Sequence, residues 1–311
     1  MTRSEAAKEF GILSREKVDA NIKFAEDMEL HGKKIQVPCR SGMQEAIFYP
    51  AGGKKPAPVI FEIYGGCFSQ GYVANNDRMR TRMWESTGYN VIGLDYRKSP
   101  DHPYPCGLED VFDAVCYFHD HADEYGIDRE RMATWGHSAG GNFACVLALM
   151  AKETGRFSLK AQLLDYPYLD AYIEGIEKTT ASIGLTAEVL DAMNDIYADK
   201  ETRHGKYLSP VYATAEELKG VAPAAIVICG QDPLRMESET MVQHFLDAGV
   251  PVLVRKFPTA SHGFLEHWFF REWYMDTLSP EERVGIPDNI EELAEEGLAF
   301  VISAAKYFME L

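Results

Sequence analysis

The pattern of hydrophobic and polar positions predicts a β-sheet covered by helices. Short segments with apolar or alternating positions, typical of strands, lie at 33–39, 43–49, 58–64, 90–96, 131–135, 160–166, 224–229 and 252–257. Longer segments with apolar residues at helical spacing lie at about 77–86, 108–124, 140–152, 238–248 and 289–309. This alternation is typical of the α/β class, in which helices pack on both faces of a sheet.

The first two strand segments differ from the later ones. Segments 33–39 and 43–49 alternate in polarity and follow each other closely, as expected for an antiparallel edge of the sheet. The later segments are apolar on both faces, which is typical of buried parallel strands. We therefore predict a mostly parallel sheet of eight strands within a single domain that covers residues 1–311.

Three segments do not fit the alternation of strands and helices. We expect residues of about 1–31 and 173–204 to contribute a small helical cap. The third segment, 265–286, contains the aromatic residues Trp268, Phe269, Phe270, Trp273 and Tyr274. This composition fits two roles, which are lining a pocket and packing against the cap or a second subunit. A homodimer is therefore one possibility.

The charge of the chain narrows the possible partners. Its 311 residues include 31 Lys+Arg against 48 Asp+Glu, which gives a formal charge of −17. Such a chain is repelled by nucleic acid and by anionic membrane surfaces, so we expect neither as a partner. The longest apolar run, 143–151, is too short for a membrane span. Acidic residues stand where a signal peptide has its apolar stretch, so we expect a cytoplasmic protein.

The six cysteines do not indicate a metal centre. They are scattered along the chain without a Cys-x-x-Cys pair, and most lie in apolar segments. Buried free thiols fit this pattern better than disulfides or zinc ligands. We expect neither a metal nor an organic cofactor.

The most informative motif is Gly136-His137-Ser138-Ala139-Gly140, which matches the Gly-x-Ser-x-Gly pattern of a nucleophile elbow. An apolar strand precedes the motif and a helix-forming run follows it. A sharp turn from strand to helix holds the serine in a strained backbone, and only small residues fit two positions to either side. The motif therefore predicts Ser138 as a nucleophile.

A serine nucleophile needs a general base, and the base needs an orienting acid. Asp232 follows the predicted strand 224–229, and His262 follows the strand 252–257, in the chain order Ser, Asp, His. Both positions lie where α/β sheets present functional groups. His244, His267 and His102 compete with His262 for the role of base, but their contexts fit a helix surface, the aromatic segment and a turn.

The loop after the strand 58–64 is a candidate oxyanion hole. Gly65, Gly66 and Cys67 form a short backbone-rich loop that can direct N–H groups at a carbonyl oxygen. The N–H of Ala139, directly after the serine, is the expected second donor.

Across roughly residues 55–265 the chain resembles the hormone-sensitive-lipase branch of the α/β-hydrolases, which includes many carboxylesterases. The matching motifs occur in family order at 64–68, 95–97, 101–105, 108–111, 136–141, 165–167, 232–235 and 262–264. The resemblance implies Ser138 as nucleophile, His262 as base and acid, Asp232 as its orienting residue, and oxyanion donors at Gly66, Cys67 and Ala139. It also implies a buried structural network at Asp95, Arg97 and His102.

The chain departs from the family at three positions. Tyr64 replaces the histidine and Cys67 the third glycine of the family's His-Gly-Gly-Gly loop, while His137 replaces the aspartate that usually precedes the serine. These departures leave the hydrolase chemistry intact, but they mean that the substrates of the family do not transfer directly to this chain.

The sequence thus predicts a serine carboxylesterase that cleaves small, fairly apolar esters through an acyl-enzyme on Ser138. An amidase, an arylformamidase or a small peptidase on the same residues is the first alternative, because this chemistry also attacks amides. A non-catalytic ligand receptor is the second, although such a protein is expected to lose part of the set Ser138, Asp232 and His262.

Overall fold

The eight predicted strands pair into one sheet in a computed structural model that describes residues 2–53, 56–178, 185–273 and 286–311. The strands are β1 (Lys33–Cys39), β2 (Gly42–Tyr49), β3 (Ala57–Ile63), β4 (Asn90–Leu94), β5 (Ile127–His137), β6 (Ala161–Asp165), β7 (Ala224–Gln231) and β8 (Val252–Ser261). Their spatial order is β1-β2-β4-β3-β5-β6-β7-β8. Strand β2 pairs antiparallel with β1 and β4, and all later pairs are parallel. The predicted eight-stranded, mostly parallel sheet is confirmed.

Helices cover this sheet. They are α1 (Arg3–Glu26), α2 (Asp77–Thr87), α3 (Cys106–Asp120), α4 (Ala122–Tyr125), α5 (Ala139–Thr154), α6 (Ala187–Tyr197), α7 (Ala215–Leu218), α8 (Arg235–Asp247), α9 (Phe264–Phe269) and α10 (Ile290–Glu310). The single helix predicted at 108–124 is wrong in one respect, because it breaks into α3 and α4 at His121. Within the described ranges, no helix is both long enough and apolar enough to cross a lipid bilayer.

The burial of the strands explains why their hydrophobic pattern could be recognised in the sequence. Every residue of β3, β4 and β6 is buried, whereas β1 at the edge is mostly exposed or half-buried. Strand β5 begins four residues before the predicted start, because Ile127 pairs with Ala57 of β3 although the residues after it are polar. Pairing with a neighbour thus overrides local polarity at this strand end.

Helix α1 lies against α6, so the two segments expected to form a cap are in contact. Arg3 at the start of α1 binds Asp195 of α6, with Nε 2.6 Å from Oδ2, and also binds Glu174. Thr2 begins the helix through a capping box with Glu5. Residues 179–184 of the second segment lie outside the described residues.

The aromatic segment turns back toward α1. After α9, the rings of Phe270 and Trp273 pack against Phe24 of α1, with centroids 5.6 Å and 5.3 Å away. The rest of the predicted segment, including Tyr274, falls in 274–285, outside the described residues.

Candidate active site

Ser138 stands at the turn between β5 and α5 with a strained backbone. Its φ of 53° and ψ of −115° lie in a region that L-residues rarely occupy. A Cβ at Gly136 would lie 2.1 Å from the carbonyl oxygen of Gly140, and a Cβ at Gly140 would lie 2.0 Å from that of Ile63. The turn therefore requires both glycines, as the motif predicted.

The structure brings Ser138, Asp232 and His262 together in one hydrogen-bonded chain. His262 Nε2 lies 2.9 Å from Ser138 Oγ, and His262 Nδ1 lies 2.8 Å from Asp232 Oδ2. The other carboxylate oxygen, Oδ1, accepts a hydrogen bond from the Leu234 N–H at 2.8 Å. His262 ends up at this position because β8 runs on to Ser261 and delivers the next residue beside the elbow. His267 lines the same cavity, but His262 makes the contact with the serine.

The environment of His262 favours its protonated form. Burial lowers the pKa of its imidazole, but the charge and hydrogen bond of Asp232 outweigh burial, and the pKa lies above its ordinary value. Asp232 is 1% exposed, so its carboxylate is screened little by solvent. With Nδ1 donating to Asp232, the neutral ring presents Nε2 as an acceptor for the serine hydroxyl proton.

The predicted oxyanion loop lies beside the serine. Gly65 allows this approach, since a Cβ there would lie 3.2 Å from the Ser138 Cβ and 2.9 Å from the His137 carbonyl oxygen. Gly66 has a φ of 118°, and a Cβ there would lie 2.6 Å from the Gln70 carbonyl oxygen. Among the described residues, the N–H groups of Gly66 and Cys67 bind no acceptor, so both are available to a ligand. Ala139 begins α5, where N–H groups point out of the helix.

A cavity of about 220 Å³ opens in front of Ser138 and His262. Polar and apolar side chains both line it. The polar ones include Lys17, Asn21, Gln70 and Asn75, and the apolar ones include Leu185, Phe270, Trp273 and Ile286. Helix α1 therefore lines the cavity directly, a role that its weak apolar periodicity did not indicate. Two aromatic residues of the 265–286 segment lie in the cavity as well.

A second group of polar residues was missed by the sequence analysis. The ring of His137, directly before the nucleophile, lies among Glu62 of β3, Asp165 of β6 and Glu266 of α9, and all four side chains are buried. A glutamate inside the apolar strand 58–64 was the available signal, because such a charge needs a buried partner.

The network predicted at Asp95, Arg97 and His102 is partly wrong. Asp95 accepts hydrogen bonds from Tyr64 and Lys98, and Arg97 binds Asp110 with Nε 2.8 Å from Oδ2, but Asp95 and Arg97 are only half-buried. His102 is exposed, because the turn that holds it lies at the surface.

Backbone strain is concentrated around the cavity. Among the described residues, the non-glycine residues with positive φ are Cys67, Phe68, Ser138 and Tyr166. The first three belong to the oxyanion loop and the elbow, and the Tyr166 ring contacts the His262 ring at 5.1 Å. Such conformations persist only where the surrounding structure enforces them, and they cluster at functional sites.

The sheet order and the strand, turn and helix around Ser138 define an α/β-hydrolase. A model of the alpha/beta hydrolase fold family matches residues 60–266, and the chain belongs to this family. The prediction from the motifs is confirmed.

Named esterases are among the relatives. The chain is 31% identical to the carboxylic ester hydrolase LipN of Mycobacterium tuberculosis over 77% of this chain and 64% of that protein. It is 31% identical to the esterase LipI of the same organism over 67% of this chain and 66% of that protein. The matches thus span just under two thirds of both relatives. The structure of a hyperthermophilic esterase from Pyrobaculum calidifontis is similar with a TM-score of 0.76 and 26% identity, over 98% of this chain and 94% of that one.

Proposed function

We propose that the protein is a serine carboxylesterase that hydrolyses small carboxylic esters. The observation that carries the proposal is the continuous hydrogen-bonded chain from Asp232 through His262 to Ser138, next to the backbone of the loop at Gly66 and Cys67. The esterase names of the relatives support the same activity.

The reaction follows from this arrangement. His262 Nε2 accepts the hydroxyl proton as Ser138 Oγ attacks the ester carbonyl carbon, and the carbonyl oxygen becomes an oxyanion. The N–H groups of Gly66, Cys67 and Ala139 stabilise that charge. The tetrahedral intermediate collapses, the imidazolium gives its proton to the leaving alcohol, and an acyl-enzyme remains. Water, deprotonated by His262, then releases the acid and restores the serine.

The lining and the volume of the cavity favour small esters with an apolar acyl or alcohol group. Phe270 and Trp273 offer an apolar surface for the acyl or alcohol group, and the volume of about 220 Å³ favours small substrates. We regard α1 and the region of α6, within 1–31 and 173–204, as the cap of a single domain, because α1 both contacts α6 and lines the cavity.

Charge bears on the location of the protein and on its partners. The charge of −17 supports an enzyme of the cytoplasm that acts on dissolved esters and binds neither nucleic acid nor membranes. A homodimer remains part of this proposal, and sedimentation of the purified protein tests it.

The decisive experiment compares wild type with Ser138→Ala on a 4-nitrophenyl ester of a short acid. We expect kcat to fall by at least about 10⁴-fold, because the nucleophile is lost. A fluorophosphonate should label wild type and spare the variant. Ser303→Ala, which changes an exposed serine of α10, is the matched control and should retain full activity.

Retention of ester turnover by Ser138→Ala would refute the proposal. A formanilide and an aminoacyl amide, assayed at matched concentration, test the alternatives left open by the sequence. Faster turnover of the formanilide would indicate an arylformamidase, and faster turnover of the aminoacyl amide would indicate an amidase or a small peptidase.

A further inference from the structure

Five ionisable side chains form a buried cluster around His137, the residue before Ser138. We call Glu62, Arg80, His137, Asp165 and Glu266 the buried cluster, and each of these residues is at most 7% exposed. The reaction proposed above uses none of them. Because an uncompensated charge in a protein interior is very costly, the members must stabilise one another.

The position of His137 in this cluster requires a positive charge. Its Nε2 lies 3.4 Å from Glu62 Oε1, and its Nδ1 lies 3.1 Å from Asp165 Oδ2. A neutral imidazole has a hydrogen on only one nitrogen, so it would direct a lone pair at one of these carboxylates. Within the part of the chain that the structure describes, neither nitrogen makes an aligned hydrogen bond, but a protonated ring is attracted to both carboxylates at these distances. Burial lowers the pKa of His137, but Asp165, Glu266 and Glu62 outweigh burial and raise it to about 10.

The charges of the cluster leave Glu266 as its adjustable member. Arg80 Nη1 lies 2.7 Å from Glu62 Oε2, and Trp135 Nε1 donates to Asp165 Oδ2 at 2.6 Å. Two cations thus face two carboxylates that have close partners, and Glu266 is the third carboxyl group. Burial raises the pKa of Glu266 above its ordinary value, although the charge of His137 and the hydrogen bond from Tyr166 act in the opposite direction and offset part of the rise.

Glu266 is also the member that reaches the active site. It lines the same cavity as Ser138 and His262. The Tyr166 hydroxyl donates a hydrogen bond to Glu266 Oε2, and the Tyr166 ring lies against the His262 ring with centroids 5.1 Å apart. Tyr166 therefore links the cluster to the catalytic histidine.

We propose that Glu266 is a positioning residue for ester hydrolysis: held by Tyr166 and by a charged His137, its carboxylate stabilises the imidazolium that forms on His262 when Ser138 gives up its proton. The inference rests on the proposed function. Asp232 contacts the ring of His262 directly, and Glu266 adds a second negative charge in surroundings where solvent screens it little. This arrangement also gives the departure at His137 a role, because a cation at that position offsets the charge of the neighbouring carboxyl groups.

Other charged groups also influence the protonation of His262. Asp232, and Glu237 on α8, raise its pKa as Glu266 does, because both are acidic. His137, Tyr166 and His262 act on Glu266, and the buried thiol of Cys229 lies near enough to it that Glu266 raises the thiol pKa. A test must therefore change one group and leave the others in place.

The test is the pH dependence of kcat/KM in Glu266→Gln. The amide keeps an oxygen to accept the hydrogen bond of the Tyr166 hydroxyl, removes the negative charge and places an NH₂ group where the second oxygen was. We expect the acid limb to move to lower pH by about 0.5–1 unit, because a missing negative charge lowers the pKa of His262. We also expect the plateau of kcat to fall about 3–10-fold, because the imidazolium is less stabilised.

Two further variants make the result specific. Tyr166→Phe keeps the ring against His262 and removes the hydroxyl that holds Glu266, so we expect a smaller shift in the same direction. Glu295→Gln removes a carboxylate from a surface pair with Arg82 and should leave the pH profile unchanged.

An acid limb that stays in place in Glu266→Gln would overturn the inference, whether or not kcat changes. If Glu266→Gln does not fold, the limb of Tyr166→Phe decides by the same criterion. Failure of the proposed function looks different, because wild type would then lack ester turnover that depends on Ser138.

Discussion

Two sets of ion pairs in this protein have similar geometry and opposite surroundings. In the buried cluster, Arg80 and Glu62 approach to 2.7 Å with both side chains fully buried. At the contact of α1 with α6, Arg3 and Asp195 approach to 2.6 Å, but the Arg3 side chain is 43% exposed. The distances alone do not separate the two sets.

The surroundings decide what each set does. A partner removed from the interior leaves an unpaired charge that costs several kcal/mol, whereas water replaces a lost partner at the surface. The buried cluster therefore fixes the residues around the elbow. The surface pairs, by contrast, help to orient α1 over the cavity and contribute little to stability.

The largest expected effect comes from replacing the buried cation. His137→Asp introduces the residue usual at this position in the family, and it sets four carboxyl groups against Arg80 alone. We expect the free energy of unfolding to fall by at least about 3–5 kcal/mol, the cost of breaking a buried pair. Urea denaturation measures the loss. His137→Gln, which is neutral, should lose less, and a loss below about 1 kcal/mol for His137→Asp would contradict the charge assigned to His137.

An intermediate effect is expected from pH. The pKa of His137 is about 10 in the folded state, above its value of ~6.5 in an unfolded chain. A raised pKa contributes stability that is fully present below about pH 6.5 and is lost as the pH rises through about 10. The difference in unfolding free energy between wild type and His137→Gln should therefore shrink between pH 7 and pH 10. A constant difference across this range would exclude a charged His137.

The smallest expected effect on stability comes from breaking an exposed ion pair of α1. Arg3→Ala should lower the free energy of unfolding by about 0–1 kcal/mol, because exposed pairs are weak and screened by salt. The loss should shrink further in about 1 M NaCl. Arg15 lies on the same helix as Arg3 and forms an exposed pair with Asp101 in a turn, so Arg15→Ala is the matched control. A loss above about 2 kcal/mol for Arg3→Ala would show that burial does not separate the two sets.

The residues of the candidate triad were predictable because each follows a strand. Ser138, Asp232 and His262 occur in the chain order that the fold requires, and the strands before them are apolar enough to recognise. The candidate oxyanion loop could be located for the same reason, since Gly65 and Gly66 follow β3 directly. Local pattern therefore suffices for residues at the ends of buried parallel strands.

The buried cluster and the role of α1 were not predictable in this way. Glu62, Asp165 and Glu266 lie on separate elements, and nothing in the sequence states that they meet around His137. Helix α1 is held by mixed contacts, which include the ion pair of Arg3 with Asp195 and the packing of Phe24, and its apolar positions give only a weak helical signal. The meeting of these carboxyl groups around His137 and the packing of α1 can be seen only in the tertiary structure.

The strained backbone at Cys67, Phe68, Ser138 and Tyr166 has a consequence for selection in the laboratory. Each such conformation costs roughly 1–3 kcal/mol. Glycine would relieve much of this strain at the half-buried Cys67 and Ser138, whereas at Phe68 and Tyr166 it would remove a buried ring and cost more than it gains. If the proposed function holds, screens for heat resistance will favour glycine at Cys67 and Ser138, and screens for turnover will reject it there.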